Sequence, residues 1–121
     1  MKLSVIHNPE RAAQRYKVVD RALVWCHKDA EALPYHLNDI SCDGLSFRYL
    51  GPELDHAHIT RVSLYHEREL IVDSAPVELV TDFILEDNPV PVRRANLQFG
   101  ELTNEQSRQL ERFIENYTRV D

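Results

Sequence analysis

Two guanidiniums, a carboxylate, a hydroxyl and a glycine are the groups whose types and spacing most directly suggest chemistry in this chain. Arg11-Ala12-Ala13-Gln14-Arg15 sets two arginines four positions apart, directly before Tyr16. After a gap of 23 residues comes Asp39-Ile40-Ser41-Cys42-Asp43-Gly44, a D-x-S-x-x-G sequence followed by Leu45. An arginine fork donates paired hydrogen bonds, stacks its plane on flat rings and keeps its charge at every physiological pH, whereas lysine supplies only the charge. Asp39 and Ser41 can brace a turn or offer an acceptor and a donor to a ligand, and Gly44 can take a positive φ. Read alone, each of the two motifs is explained by ordinary structure.

Rival chemistries have weaker support. His56-Ala57-His58 lies beside Glu53 and Asp55, but no other His or Cys stands at a zinc-like spacing from it, so a solvated polar loop is the simpler reading. Cys26 and Cys42 have no base or oxyanion site that the sequence can assign to them. No P-loop, nucleophile elbow or carboxylate cluster is present, so an enzyme is not expected. Arg93 and Arg94 must point to opposite faces of a strand. Arg94 shares its alternation with Asn96 and Gln98, as part of a solvated face or as an accessory ligand contact. Trp25 reads as a core or rim aromatic first and a base-stacking platform second.

The 121 residues suit one compact domain, with 43% hydrophobic and 28% charged residues, as in a folded globular protein. A formal charge of -6 argues against general DNA or RNA binding. The charge is uneven, however. Residues 1–28 hold six Lys or Arg against Glu10 and Asp20, a balance of +4, which leaves -10 for the other 93 residues. A locally basic segment fits a small anionic ligand. No apolar run is long enough to cross a bilayer and Met1 to Glu10 has no signal core, so a cytoplasmic protein without a disulfide framework is expected.

The elements that must position these groups are short. Strand character appears at Arg21 to Cys26, Leu33 to Ile40, Leu45 to Leu50, Ile59 to Tyr65, Leu70 to Asp73, Val77 to Leu85 and Val92 to Phe99. Alternation marks a buried face in Leu45, Phe47 and Tyr49, in Val77, Leu79, Phe83 and Leu85, and in Ala95, Leu97 and Phe99. Closely spaced strands without intervening helices favour an antiparallel barrel or sandwich. Thr103-Asn104-Glu105-Gln106 has capping-box spacing, and Leu110, Phe113, Ile114 and Tyr117 follow at helical intervals. They predict an amphipathic helix of about 14 residues that packs on the barrel.

R-x-x-x-R, an aromatic, the 23-residue gap and D-x-S-x-x-G resemble the PilZ domain signature in order and spacing. The stretch from Asn96 to Leu102 and the segment Leu110 to Ile114 look like that family's last strand and closing helix, so the resemblance covers residues 9 to 117. It implies a mainly β fold, a six-stranded antiparallel split barrel over 16–100 with a C-terminal helix at 103–117 and a flexible arginine-bearing arm at 1–15. It also implies a receptor for cyclic di-GMP. Arg11 and Arg15 would clasp guanine edges and phosphates, Asp39 would accept from a guanine N–H, Ser41 would donate, and Gly44 would leave room for the ligand. Arg94 and Trp25 are accessory candidates. No metal or other cofactor is implied. Binding would order the arm and signal to a downstream partner protein. Glu10 and Asp43 place acids near the presumed phosphates, and the alternative is an adaptor of the same fold that no longer binds the nucleotide.

Overall fold

The computed structural model describes residues 14–27, 34–54, 59–87 and 89–119. The strands are β1 (Tyr16–Val18), β2 (Ala22–Cys26), β3 (Tyr35–Ile40), β4 (Gly44–Leu50), β5 (Arg61–His66), β6 (Glu69–Asp87), β7 (Pro91–Phe99) and β8 (Thr118–Arg119), with one helix, α1 (Asn104–Tyr117). All pairings are antiparallel. The order β2-β5-β6-β7-β4-β3 closes on itself through β2–β3 pairing at Leu23–His36 and Val24–Tyr35, giving a six-stranded barrel. β1 and β8 add to the free edge of β3 beyond that closure. These two strands have three and two residues, too few to show a period, and the sequence does not reveal them.

The barrel interior is filled from alternating positions, with Val24, Cys26, Ile40, Leu45, Phe47, Val62, Leu64, Ala95 and Leu97 buried. Tyr35 stacks on Phe47 at 4.6 Å between ring centroids. The capping box at Thr103 and Gln106 is formed in full, and α1 lays Leu110 and Phe113 into the core with Ile114 and Tyr117 packed beside them. Gln106 donates to the carbonyls of Asp73 and Ser74, and Gln109 accepts from the Asp73 amide, so polar as well as apolar contacts tie α1 to β6.

β6 departs from the alternation expected for it. The stretches Leu70 to Asp73 and Val77 to Leu85 are one strand of 19 residues, bent at Ser74, whose φ is +52°. Register shifts between Leu79 and Thr81 and between Ile84 and Glu86 insert Val80 and Leu85 as extra residues opposite β7. A one-residue insertion exchanges the faces of everything beyond it. Phe83 and Leu85 are therefore exposed, not buried, and Asp82 takes the inward place opposite Ala95.

Candidate functional site

Asp39 is positioned by a similar device. Leu37 pairs with Phe47 and Asp39 with Ser46, so Asn38 is an extra residue in β3, and Asp39 lies opposite the outward-facing register of β4. Its carboxylate accepts from Arg15 Nη1 at 2.7 Å and from Arg94 Nη2 at 2.8 Å, while Asn38 donates to Oδ2 at 3.3 Å. Arg15 arrives from the residues just before β1, which pairs with β3 at Lys17–Asp39. Arg94 arrives from β7, whose register with β4 sets Arg94 against Arg48 and Asn96 against Ser46. Two guanidiniums of quite different sequence position thus meet on one acid.

The bend beyond Asp39 is braced by Ser41. Its hydroxyl accepts from the amides of Asp43 at 3.1 Å and Gly44 at 3.2 Å, and the Ser41 amide donates to the Gly44 carbonyl. Ser41 is itself buried, so in this arrangement its oxygen serves the turn. Gly44 has no positive φ, contrary to the sequence expectation; among the described glycines only Gly51 does. What excludes a side chain at Gly44 is β7. An added Cβ would lie 2.1 Å from the Leu97 carbonyl oxygen, far inside any real contact. The bend and β7 are further joined by the Phe99 amide, which donates to the Asp43 carbonyl.

A shallow cleft of about 210 Å³ opens here, lined by Arg15, Asp43, Gly44, Val80, Asn96, Leu97 and Gln98. It presents a cation, a carboxylate, amide side chains and an apolar wall together, a mixture suited to a flat polar ring. One donor in the cluster lacks an acceptor: Arg94 Nε is buried and makes no hydrogen bond among the described residues. A buried N–H without an acceptor is costly, on the order of 1–3 kcal/mol, and marks where a ligand oxygen or nitrogen would be favoured.

Of the residues singled out by sequence, Arg15, Asp39, Ser41, Gly44 and Arg94 are brought to this one surface. Trp25 is not. It is half-buried on β2 and lines a different depression with Leu23, Pro34, Tyr65, Glu67 and Arg68, none of which borders the Arg15 cleft. Arg11 lies outside the described residues, as do Glu10, His56 and His58. Among the described residues no three His, Cys, Asp or Glu side chains are grouped to hold a metal ion. Partial burial and the neighbouring Asp43 push the Cys42 thiol above its ordinary pKa, which disfavours the thiolate a nucleophile needs. Asn96 and Gln98 share the alternation of Arg94 already in the sequence, but that they line this cleft together with Val80 is visible only once β4, β6 and β7 are paired.

A second acid lies on the inner side of the same strands. Asp82 accepts from the Tyr49 hydroxyl, from the Leu54 amide at 3.0 Å and from Arg93 Nε at 3.0 Å. Its side chain is 1% exposed. Burial and the Asp82 hydrogen bond raise the Tyr49 pKa well above the usual tyrosine value, and the hydrogen bond to Asp82 raises that of Arg93.

No protein-family model matches the chain, and no curated protein matches it in sequence. Solved structures do match. The complex of K. pneumonia MrkH with c-di-GMP superposes with a TM-score of 0.69 at 16% identity over 88% of this chain and 51% of that one. The PilZ domain of Escherichia coli YcgR with c-di-GMP gives 0.60 at 18% identity, covering 87% of this chain and 88% of that one. PlzA of Borreliella burgdorferi, also in complex with c-di-GMP, gives 0.60 at 10% identity, covering 93% and 56%. The chain spans about half the length of the MrkH chains it matches. At these identities the likeness is one of fold, and the fold is that of the PilZ domain: the six-stranded barrel with its C-terminal helix. No described helix is long and apolar enough to cross a membrane.

Proposed function

We propose that this chain is a cyclic di-GMP receptor whose ligand lies against the outer face of β3, β4 and β7, held by Arg15, Asp39 and Arg94 beside the bend at 41–44. The observation that carries the reading is the convergence of Arg15 and Arg94 on Asp39 next to that bend, with Arg94 Nε buried and unpaired among the described residues. The guanine edge offers O6 and N7 acceptors to an arginine fork, and its N1–H and amino group are donors that a carboxylate accepts. The phosphates are drawn by the same guanidiniums. Arg11, four residues ahead of Arg15, would add a second fork from the leading segment. Ser41 and Gly44 act by shape: the serine fixes the bend and the glycine lets it close on β7. That three solved proteins of this fold are complexes with c-di-GMP supports the choice of ligand.

A guanine that takes Asp39 or Arg15 must separate them, so binding exchanges an ion pair in the protein for contacts to the ligand. Arg15 is 43% exposed, which makes its pair with Asp39 a weak one to give up. Release of Arg15 would shift the leading segment, and a downstream protein in the cytoplasm would read the change; binding, not turnover, is the function. Calorimetric titration of cyclic di-GMP into the wild type and into Arg15→Ala tests this. The variant is expected to lose about 1–3 kcal/mol of binding free energy. An unchanged affinity would overturn the assignment, and a wild type that binds no nucleotide would favour an adaptor of the same fold.

A further inference from the structure

We propose that the projecting end of the β6–β7 hairpin is a docking surface for an extended segment of a partner protein in which apolar residues alternate with Lys or Arg. The inference is independent of nucleotide binding. It begins with the apolar surface gathered there: Leu50 is 68% exposed, Ile84 47% and Val90 47%, with Phe83 and Leu85 also exposed. Most of the exposed large hydrophobic residues lie at this one end of the barrel, whereas isolated ones would need no explanation.

The second observation is a strand edge. β5 ends its pairing with β6 at Pro76, while β6 continues to Asp87 with β7 on its other side. Among the described residues no backbone hydrogen bond from another element reaches Phe83 to Asp87 on the vacated edge, and every residue of that stretch is exposed. Unpaired N–H and C=O groups in a row are what an added strand bonds to, with side-chain contacts supplying selectivity.

Charge selects the occupant. Among the described residues, the exposed ionisable side chains of the loop after β4 and of this stretch are Glu53, Glu86 and Asp87, all acidic, with Glu53 facing Arg93 at 3.7 Å and the other two on the strand edge itself. A second copy of the chain adding edge to edge would set Glu86 and Asp87 against the same two acids, and like charges facing across strands are destabilising. A segment with cations beside its apolar residues meets both features.

The surface is also held in shape. Asp82, at the base of the projecting part, is bonded to Tyr49, Arg93 and the Leu54 amide, tying the hairpin to β4 and its following loop. A preorganised edge loses little freedom when a partner adds to it.

The test uses the full chain, 15N-labelled and free of nucleotide, titrated with a short synthetic peptide that alternates valine and threonine and carries lysine at its ends and centre. A control peptide has glutamate in place of lysine. The lysine peptide is expected to shift the amides of Phe83 to Asp87, the glutamate peptide to leave them in place, and Leu85→Lys to weaken the lysine peptide about tenfold. Leu85 is exposed, so the variant should fold and titrate cyclic di-GMP as the wild type does, which separates failure here from failure of the receptor reading. The proposal is overturned if the lysine peptide gives no shift up to its solubility limit, if shifts fall elsewhere, or if the glutamate peptide binds equally. Self-association of the free chain that Leu85→Lys abolishes would also overturn it, since a second copy would then be the occupant.

Discussion

Arg93 and Arg94 are neighbours in β7, each bonded to an aspartate, yet they do opposite work because a strand sends consecutive side chains to opposite faces. Arg93 turns toward the interior, where Asp82 is 1% exposed and also serves a tyrosine hydroxyl and a backbone amide. Arg94 turns outward to Asp39, which shares its carboxylate with the half-exposed Arg15 and, among the described residues, leaves one Arg94 donor unused. The inner cluster is closed, and removing any member leaves buried groups without partners. The outer one is open to exchange, because a ligand can replace each of its bonds. The same two residue types thus give a closed fastening on one side of the sheet and, on the other, the open cluster proposed as the receptor surface.

The largest effect should come from deleting the inner acid. Asp82→Ala orphans the Tyr49 hydroxyl and the Leu54 amide and is expected to cost on the order of 3 kcal/mol in urea unfolding, whereas Asp39→Ala, whose partners reach water, should cost about 1 kcal/mol. Equal losses would erase the distinction. Next is Gly44→Ala, whose methyl would meet the Leu97 carbonyl and force β4 from β7; about 2 kcal/mol of destabilisation is expected from such overpacking, with weakened nucleotide binding. Smallest is the alkaline limb of stability. The folded protein holds the Tyr49 proton more tightly than the unfolded chain, whose tyrosine ionises near pH 10. The contribution is therefore complete at neutral pH and is lost as pH rises above that unfolded value. Urea titrations at about pH 8 and pH 11 should show a steeper decline for the wild type than for Tyr49→Phe.

Much of the barrel is legible in the sequence because its buried faces are written as simple alternation. Leu45, Phe47 and Tyr49 point inward as their period demands, and the Thr103 capping box starts α1 where its spacing says. Where the expected alternation itself fails, a bulge resets the period. Val80 does so for Phe83 and Leu85, turning an expected core face into an exposed one and drawing Asp82 inside. Asn38 is a second insertion, beside Asp39, and nothing in the local composition marks either one. The opposite orientations of Arg93 and Arg94 are legible, but their partners are not, since each acid is brought in by a strand remote in sequence. Gly44 was read as a turn residue, while its reason is the approach of Leu97, a contact across the sheet.

The division between the two faces can be observed directly at the arginine side chains. Spectra of the Arg93 and Arg94 Nε–H groups in the 15N-labelled chain, recorded while cyclic di-GMP is added, should show Arg94 moving as its unpaired donor finds an acceptor and Arg93 staying in place. An Arg94 signal that does not move at saturating nucleotide, or an Arg93 signal that moves as far, would contradict the account.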